Sequence, residues 1–179
     1  MKPKLYREQP DFEMSHKWLT EETYSEALES FVVVAADVVF IDATHSKTFL
    51  LPFRKAKPMK DSFWFVGGRV NVGETEADAI NRIVTRETGL LLPLERFAFI
   101  TMNRYFFKDR QQKPQTKGYD CLSYVFTATL SIEERDSAAK NLDPNEYDVS
   151  IGLRSFDLPA LEAAHTHAAI TDLHSLLFP

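Results

Sequence analysis

The stretch Gly67–Leu90, GGRVNVGETEADAINRIVTRETGL, decides how the rest of the chain is read. Its second half is the clearest helix in the sequence. Ala77, Ile80, Ile83 and Val84 recur at the spacing that gathers apolar side chains on one helical face. Thr75 stands where an N-cap is wanted, three residues ahead of Asp78, in the pattern of a capping box. Gly89 follows as a C′ residue able to take the left-handed conformation that closes a helix. A helix over Thr75–Thr88 is predicted, entered through a loop that begins at Gly67-Gly68.

Working outward, Phe63–Val66 reads as a short aromatic strand that ends at the glycine pair. Phe31–Asp42, FVVVAADVVFID, is β-branched and nearly all apolar, a buried strand. Lys47–Arg54 is its expected neighbour across a turn at Ala43–Ser46. Thr20–Ser30 forms a short helix capped by Thr20. Met1–Trp18 is polar, an arm lying on the surface or on a partner subunit. Downstream, Leu94–Phe107 and Tyr119–Ser131 read as long strands joined by the polar loop Lys108–Gly118. Ser131–Tyr147 reads as a long polar connection and Ile151–Phe156 as a last short strand. Asp157–Phe178 reads as one or two helices with Leu161, Ile170, Leu173 and Leu177 as the apolar stripe. Strands on either side of a central helix, with more helix at the end, predict an α/β (α+β) fold with a mixed sheet packed between helices. The arm and short helix take residues 1–30, and the folded domain residues 31–179.

A chain of 179 residues with 44% hydrophobic content can bury a sizeable core. The net charge of -5 argues against nucleic acid as a partner, since such binding needs basic surface to displace counterions. It leaves room for a small anion held by a local cluster of arginines. The single cysteine, Cys121, excludes an intrachain disulfide and a cysteine-only zinc site, and reads as a small buried hydrophobe. No run reaches the ~18 apolar residues of a membrane span, and the opening MKPKLYREQPDFEMSHKW lacks the apolar segment of a signal peptide. The expected setting is cytoplasmic, with no membrane partner. His165 and His167 are two apart and do not share a helix face, so they do not read as a metal pair.

The stretch resembles the Nudix box, G-x5-E-x7-R-E-U-x-E-E-x-G-U with U aliphatic. Gly68, Glu74, Arg82, Val84, Glu87, Gly89 and Leu90 fall on pattern. The chain is thereby identified as a member of the Nudix hydrolase superfamily, and the resemblance implies the Nudix fold. Two departures stand out. The pattern places glutamates at i, i+3 and i+4 on one helix face, where carboxylates hold Mg²⁺. Here those positions are Ile83, Arg86 and Glu87. A multi-metal cluster on this helix is not expected. A single Mg²⁺, with Mn²⁺ as the alternative ion, can be held by Glu87, the Gly67 carbonyl and one further ligand. Glu74 and Arg82 read as the pair that ties the loop to the helix.

One branch of the family, the GDP-mannose mannosyl hydrolases, has a similarly depleted box with similar flanks, here FWFVGGRV and GLLLP. That resemblance implies attack at the anomeric carbon of a nucleoside diphosphate sugar and C–O cleavage. It implies roles residue by residue. Asp37 falls on a sugar-contacting aspartate; a carboxylate in an apolar strand is costly unless exposed or paired, so it either faces water or has a use. Arg54 and Arg69 fall on arginines that contact the diphosphate, as their planar donors suit, and Tyr124 on a tyrosine near the phosphates, though core packing explains it equally. In the late loop LDPNEYDVS, Glu146 takes the position of a metal ligand and Tyr147 that of a general base. With an ordinary pKa of about 10, a tyrosine is a poor base. Glu146 or Asp148 is the alternative, and an acidic surface loop explains the segment as well. A proline usual before the glycine pair is missing.

Three functions follow: an Mg²⁺-dependent hydrolase releasing nucleoside diphosphate and sugar from a GDP-mannose-like substrate; a pyrophosphatase cleaving P–O–P; or a non-catalytic Nudix-fold nucleotide-sugar binding protein. The resemblance also implies a homodimer.

Overall fold

The computed structural model describes residues 4–9, 11–45 and 47–179. In chain order the elements are α1 (Glu21–Ser30), β1 (Val33–Asp42), β2 (Phe49–Arg54), β3 (Ser62–Phe63), β4 (Val66–Arg69), α2 (Glu76–Thr88), β5 (Ala98–Phe107), β6 (Tyr119–Leu130), α3 (Ile132–Asn141), β7 (Leu153–Phe156), α4 (Leu158–Ala163) and α5 (Ala168–Leu177). Among the described residues no helix is long and apolar enough to cross a membrane.

The sheet is built around β1. Its apolar run lies parallel to β6 from Val33↔Cys121 to Asp42↔Leu130, and β5 pairs antiparallel with the outer side of β6. On its other side β1 has two partners. Its end pairs with β2 through Phe40↔Leu50 and Ile41↔Phe49. Its first half pairs with β4, from Ala35↔Arg69 to Val38↔Val66. The strand order is β3-β2-β1-β6-β5, with β4 on β1 and β7 on β2. Because β2 leaves β1 where β4 joins it, the sheet forks, and the fork opens a space at the centre of the fold.

Strand alternation splits the core in two. Ala36, Val38 and Phe40 face α2 and α3, packing on Ile80, Ile83, Val84 and Ala138. Ala35 and Val39 face the opposite way, onto Phe49, Trp64, Phe65 and, from α4 and α5, Leu161, Ile170 and Leu173. The mixed sheet between helices expected from the sequence is the fold observed.

The central helix matches its pattern except at Ala77, which is half-buried while Ala79 takes a core position. Ala79, Ile80, Ile83 and Val84 are buried, Thr75 Oγ1 accepts from Asp78 N–H, and Gly89 closes the helix at φ 69°. The capping box there is only half made, because the Asp78 carboxylate accepts from the Thr75 hydroxyl at 2.6 Å and not from its backbone. The reciprocal box lies elsewhere, at Ser131 and Glu134. It starts α3, a helix inside the segment expected to be a polar connection. Only Ala138 of α3 is fully buried, so the apolar periodicity that reveals most helices is nearly absent. The strand expected at Phe63–Val66 is also redistributed. Trp64 and Phe65 turn into the core between β3 and β4, and the glycine pair lies within β4.

Candidate active site

The space at the fork is a cavity of about 180 Å³. Asp37 reaches it from β1, Arg54 from the end of β2, and Gly67, Gly68 and Arg69 from β4. Arg86 and Glu87 come from the last turn of α2, and Glu146 from the loop before β7. Tyr105 and Phe107 of β5, Tyr119 of β6, Tyr24 of α1, Lys57 of the loop after β2 and Gln111 and Gln112 of the 108–118 loop also line the walls.

The glycines have a steric reason. A Cβ on Gly67 would overlap the Asp37 carboxylate, which lies directly across the strand pair. Val70 N–H donates to the Val34 carbonyl, so alternation makes Asp37↔Gly67 a non-hydrogen-bonded pair and turns the Gly67 carbonyl away from β1. The loop from β4 to α2 is then stapled by Glu74. It accepts from Arg82 at 2.6 and 2.8 Å and from Asn71 N–H at 2.9 Å, while Arg82 also donates to the Arg69 carbonyl. The Arg82 hydrogen bonds hold the Glu74 carboxyl below its ordinary range.

Three carboxylates serve the cavity, and each is engaged. Glu87 is 1% exposed; its Oε1 accepts from Arg86 Nη2 and its Oε2 from the Tyr147 hydroxyl, both at 2.5 Å. Burial pushes its pKa up, against the opposing pull of Tyr147 and Arg86. Glu146 pairs with Arg54 at 3.0 Å, and Arg54 also donates from Nε to the Pro58 carbonyl. Asp37 accepts from the Ser123 hydroxyl at 2.6 Å. Burial pushes its pKa up to about 6, with Ser123 and Arg54 opposing. Arg69 lies over the Tyr24 ring, 4.5 Å from its centroid.

The cavity thus brings together Asp37, Arg54, Gly67, Arg69, Glu87 and Glu146. Tyr147 stands behind it, 1% exposed, forming a bridge with Arg54 along the backbone. Its hydroxyl donates to Glu87, and burial together with the charge of Glu87 raises its pKa well above the ordinary tyrosine value. As a general base Tyr147 is therefore corrected to a residue that holds Glu87. The Tyr147→Phe variant keeps the ring and leaves a buried carboxylate oxygen without its donor. It is expected to lose about 1–3 kcal/mol of stability, read by urea unfolding; an unchanged midpoint would show that the bond does not support the fold. Tyr124 is not brought in: it lies next to Ser123 and faces the other side of the sheet, packing on Phe99 and the α2 core. Asp148 caps its own turn by accepting from Ser150 and does not line the cavity.

Sequence reading missed Ser123, Lys57, Tyr24 and the two glutamines. Ser123 shares a face with Asp37 because Cys121, Ser123 and Val125 stand level with Val33, Ala35 and Asp37 of the parallel neighbour β1, a pairing that no local pattern announces. The others arrive on loops and on α1, where no periodicity points to them. Among the described residues no three His, Cys, Asp or Glu side chains meet as a ready-made metal cluster.

Comparison with known structures gives the same fold. The chain superposes on a MutT NUDIX hydrolase from Burkholderia pseudomallei with a TM-score of 0.59 at 20% identity, covering 80% of this chain and 95% of that one. An Ap4A hydrolase from C. elegans, solved as a binary complex, gives 0.55 at 20% identity, covering 82% and 95%. The NUDIX domain of Shewanella oneidensis NrtR, complexed with ADP ribose, gives 0.55 at 13% identity, covering 89% and 97%. The NUDIX domain family matches residues 32–173, a span that holds the fork, the stapled loop and every cavity residue except those of α1. By that match the chain belongs to the NUDIX domain family.

Proposed function

We propose that this chain hydrolyses a nucleoside diphosphate sugar of the GDP-mannose kind, releasing nucleoside diphosphate and free sugar by C–O cleavage. The observation that carries the reading is the joint placement of Asp37, a buried carboxylate whose pKa burial raises to about 6, with Arg54, Arg69 and Arg86 around one cavity. Arg69 and Arg86 would neutralise the diphosphate with parallel hydrogen bonds; Lys57, also at the cavity, is paired with Asp109 at 3.5 Å. Tyr24, which already carries Arg69 on its face, offers a ring for the base.

The donor set fits one divalent ion and not several. Glu87 offers a carboxylate whose burial calls for a cation, the Gly67 carbonyl is turned off the β1 ladder, and Glu146 is partly open to the cavity. These three would hold Mg²⁺ or Mn²⁺, which when bound supplies positive charge for the leaving diphosphate oxygens. Asp37 would orient the sugar and accept a proton from the attacking water. A base whose pKa lies near the working pH suits that task. Water adds to the anomeric carbon, the bond from that carbon to the diphosphate oxygen breaks, and the electron pair leaves with the nucleoside diphosphate.

³¹P NMR of GDP-mannose turnover with Mg²⁺ tests this directly. GDP with free sugar supports C–O cleavage; GMP with a sugar phosphate would assign the chain to the pyrophosphatases. The ion pair between Arg86 and Glu87 favours a second reading, a binding protein that does not turn over. Calorimetric binding without products from any nucleotide sugar would establish it.

The reading includes a cytoplasmic homodimer. Leu5, Tyr6, Phe12, Met14 and Trp18 of the arm are all more than half exposed, apolar surface that a second copy would cover. Light scattering is expected to give twice the chain mass, and removal of residues 1–19 to give a monomer. A full-length monomer at micromolar concentration would rule the dimer out.

A further inference from the structure

We infer that Arg86 is a two-position cation: it neutralises Glu87 when no metal is bound, and it transfers to the substrate diphosphate when a divalent ion takes that carboxylate. The inference rests on the single-ion site proposed above. Three observations support it. Glu87 is 1% exposed, and a carboxylate so buried needs a cationic partner in either state. The partner present is the Arg86 guanidinium, on Oε1, while Tyr147 keeps Oε2. The Arg86 side chain is itself 54% exposed, and Glu87 is its one ion-pair partner among the described residues, so it can leave without uncovering core.

Its route is short. The guanidinium lies beside Gly68, its Nη2 3.6 Å from where a Cβ would stand. The next residue of that strand is Arg69, which lines the same cavity. A divalent ion on Glu87 repels the guanidinium at hydrogen-bonding distance. With the ion bound, the Glu87 and Glu146 carboxylates face the ion's double charge and the Arg86 and Arg54 guanidiniums, leaving two positive charges that a diphosphate matches. Metal and diphosphate then favour each other's binding through Arg86, as linkage requires.

The geometry gives an opposite-sign prediction for one substitution. Arg86→Met removes the competing cation, so Mn²⁺ alone, followed by its EPR signal, is expected to bind about tenfold tighter than to the wild type, within the usual span of coupled sites. The same variant should bind inorganic pyrophosphate about tenfold more weakly when Mn²⁺ is saturating. Glu87→Gln should bind no Mn²⁺ in either background. Equal Mn²⁺ affinities in wild type and Arg86→Met, with binding still abolished by Glu87→Gln, would overturn the role of Arg86 and leave the metal site standing. No Mn²⁺ binding by any of the three would overturn the metal site itself, and the inference with it. A merely structural Arg86 would weaken both ligands together, which also overturns it.

Discussion

Glu87→Gln is expected to lower kcat/KM on the nucleotide sugar by on the order of 10³, about 4 kcal/mol of transition-state stabilisation. The fold should survive. Glutamine has the same shape, and its carbonyl oxygen still accepts from the Tyr147 hydroxyl. The change also removes a charge that burial opposes, since the Glu87 pKa is raised by desolvation first of all. The thermal midpoint is therefore expected to hold or rise while activity collapses. That combination separates a metal-holding carboxylate from a structural one. A variant that folds and keeps full turnover would show that the reaction does not pass through this carboxylate. Glu87→Asp, one methylene shorter, should fail almost as badly, because a buried site cannot move to meet it.

Asp37→Asn should gain stability and lose activity, and its stability gain should depend on pH with a defined sign. The Asp37 pKa is raised from 3.8 to about 6, chiefly by burial. Below about pH 4 the carboxyl is protonated in both folded and unfolded chains and has no effect. Between about 4 and 6 the folded protein keeps a proton that the unfolded chain has lost, so its contribution to stability falls as pH rises. Above about 6 the loss is complete, about 3 kcal/mol for a shift of this size. Asparagine carries no charge and accepts from Ser123 equally well. The difference between variant and wild type should be near zero at pH 4 and should reach about 3 kcal/mol in favour of the variant by pH 7. Urea unfolding at several pH values reads it. A difference that does not change with pH would sink the account of Asp37 as a buried, proton-retaining acid. Turnover by the wild type should rise through pH ~6 as the base is freed, and the asparagine variant should lack that limb. A stabilising substitution that disables the site is the usual mark of a strained functional group.

The structure clarifies why some site residues were readable and others were not. Asp37 was legible because it breaks an otherwise apolar strand, and a carboxylate there demands an explanation. Glu87 was expected from the fixed spacing of the box and Gly67 and Arg69 from the resemblance around it, and all three line the cavity. Tyr124 and Tyr147 were misplaced for a common reason: the sequence names a position on a strand or loop but not the face it presents. Strand alternation turns Tyr124 away from the cavity, toward α2. The turn at Asp143, where Tyr147 N–H donates to the Asp143 carbonyl, puts the Tyr147 ring behind Glu87. The partners of the carboxylates were equally hidden. Nothing in the order of residues says that Arg54 meets Glu146 ninety-two positions away or that Ser123 reaches Asp37.

The sequence by itself determined the elements whose information is local. A buried β-branched run, a capped amphipathic helix and a glycine-punctuated motif each act within a few residues, through side-chain periodicity and backbone freedom. It failed at α3, where a capping box stands without an apolar stripe, because helix recognition rests on burial that this helix barely has. Only the tertiary structure decided how β1 divides its edge between β2 and β4, and that fork is the cavity. Strand pairing is set by contacts between segments distant in the chain, and the protonation of Asp37 and the pairing of Glu87 follow from the enclosure that those contacts create.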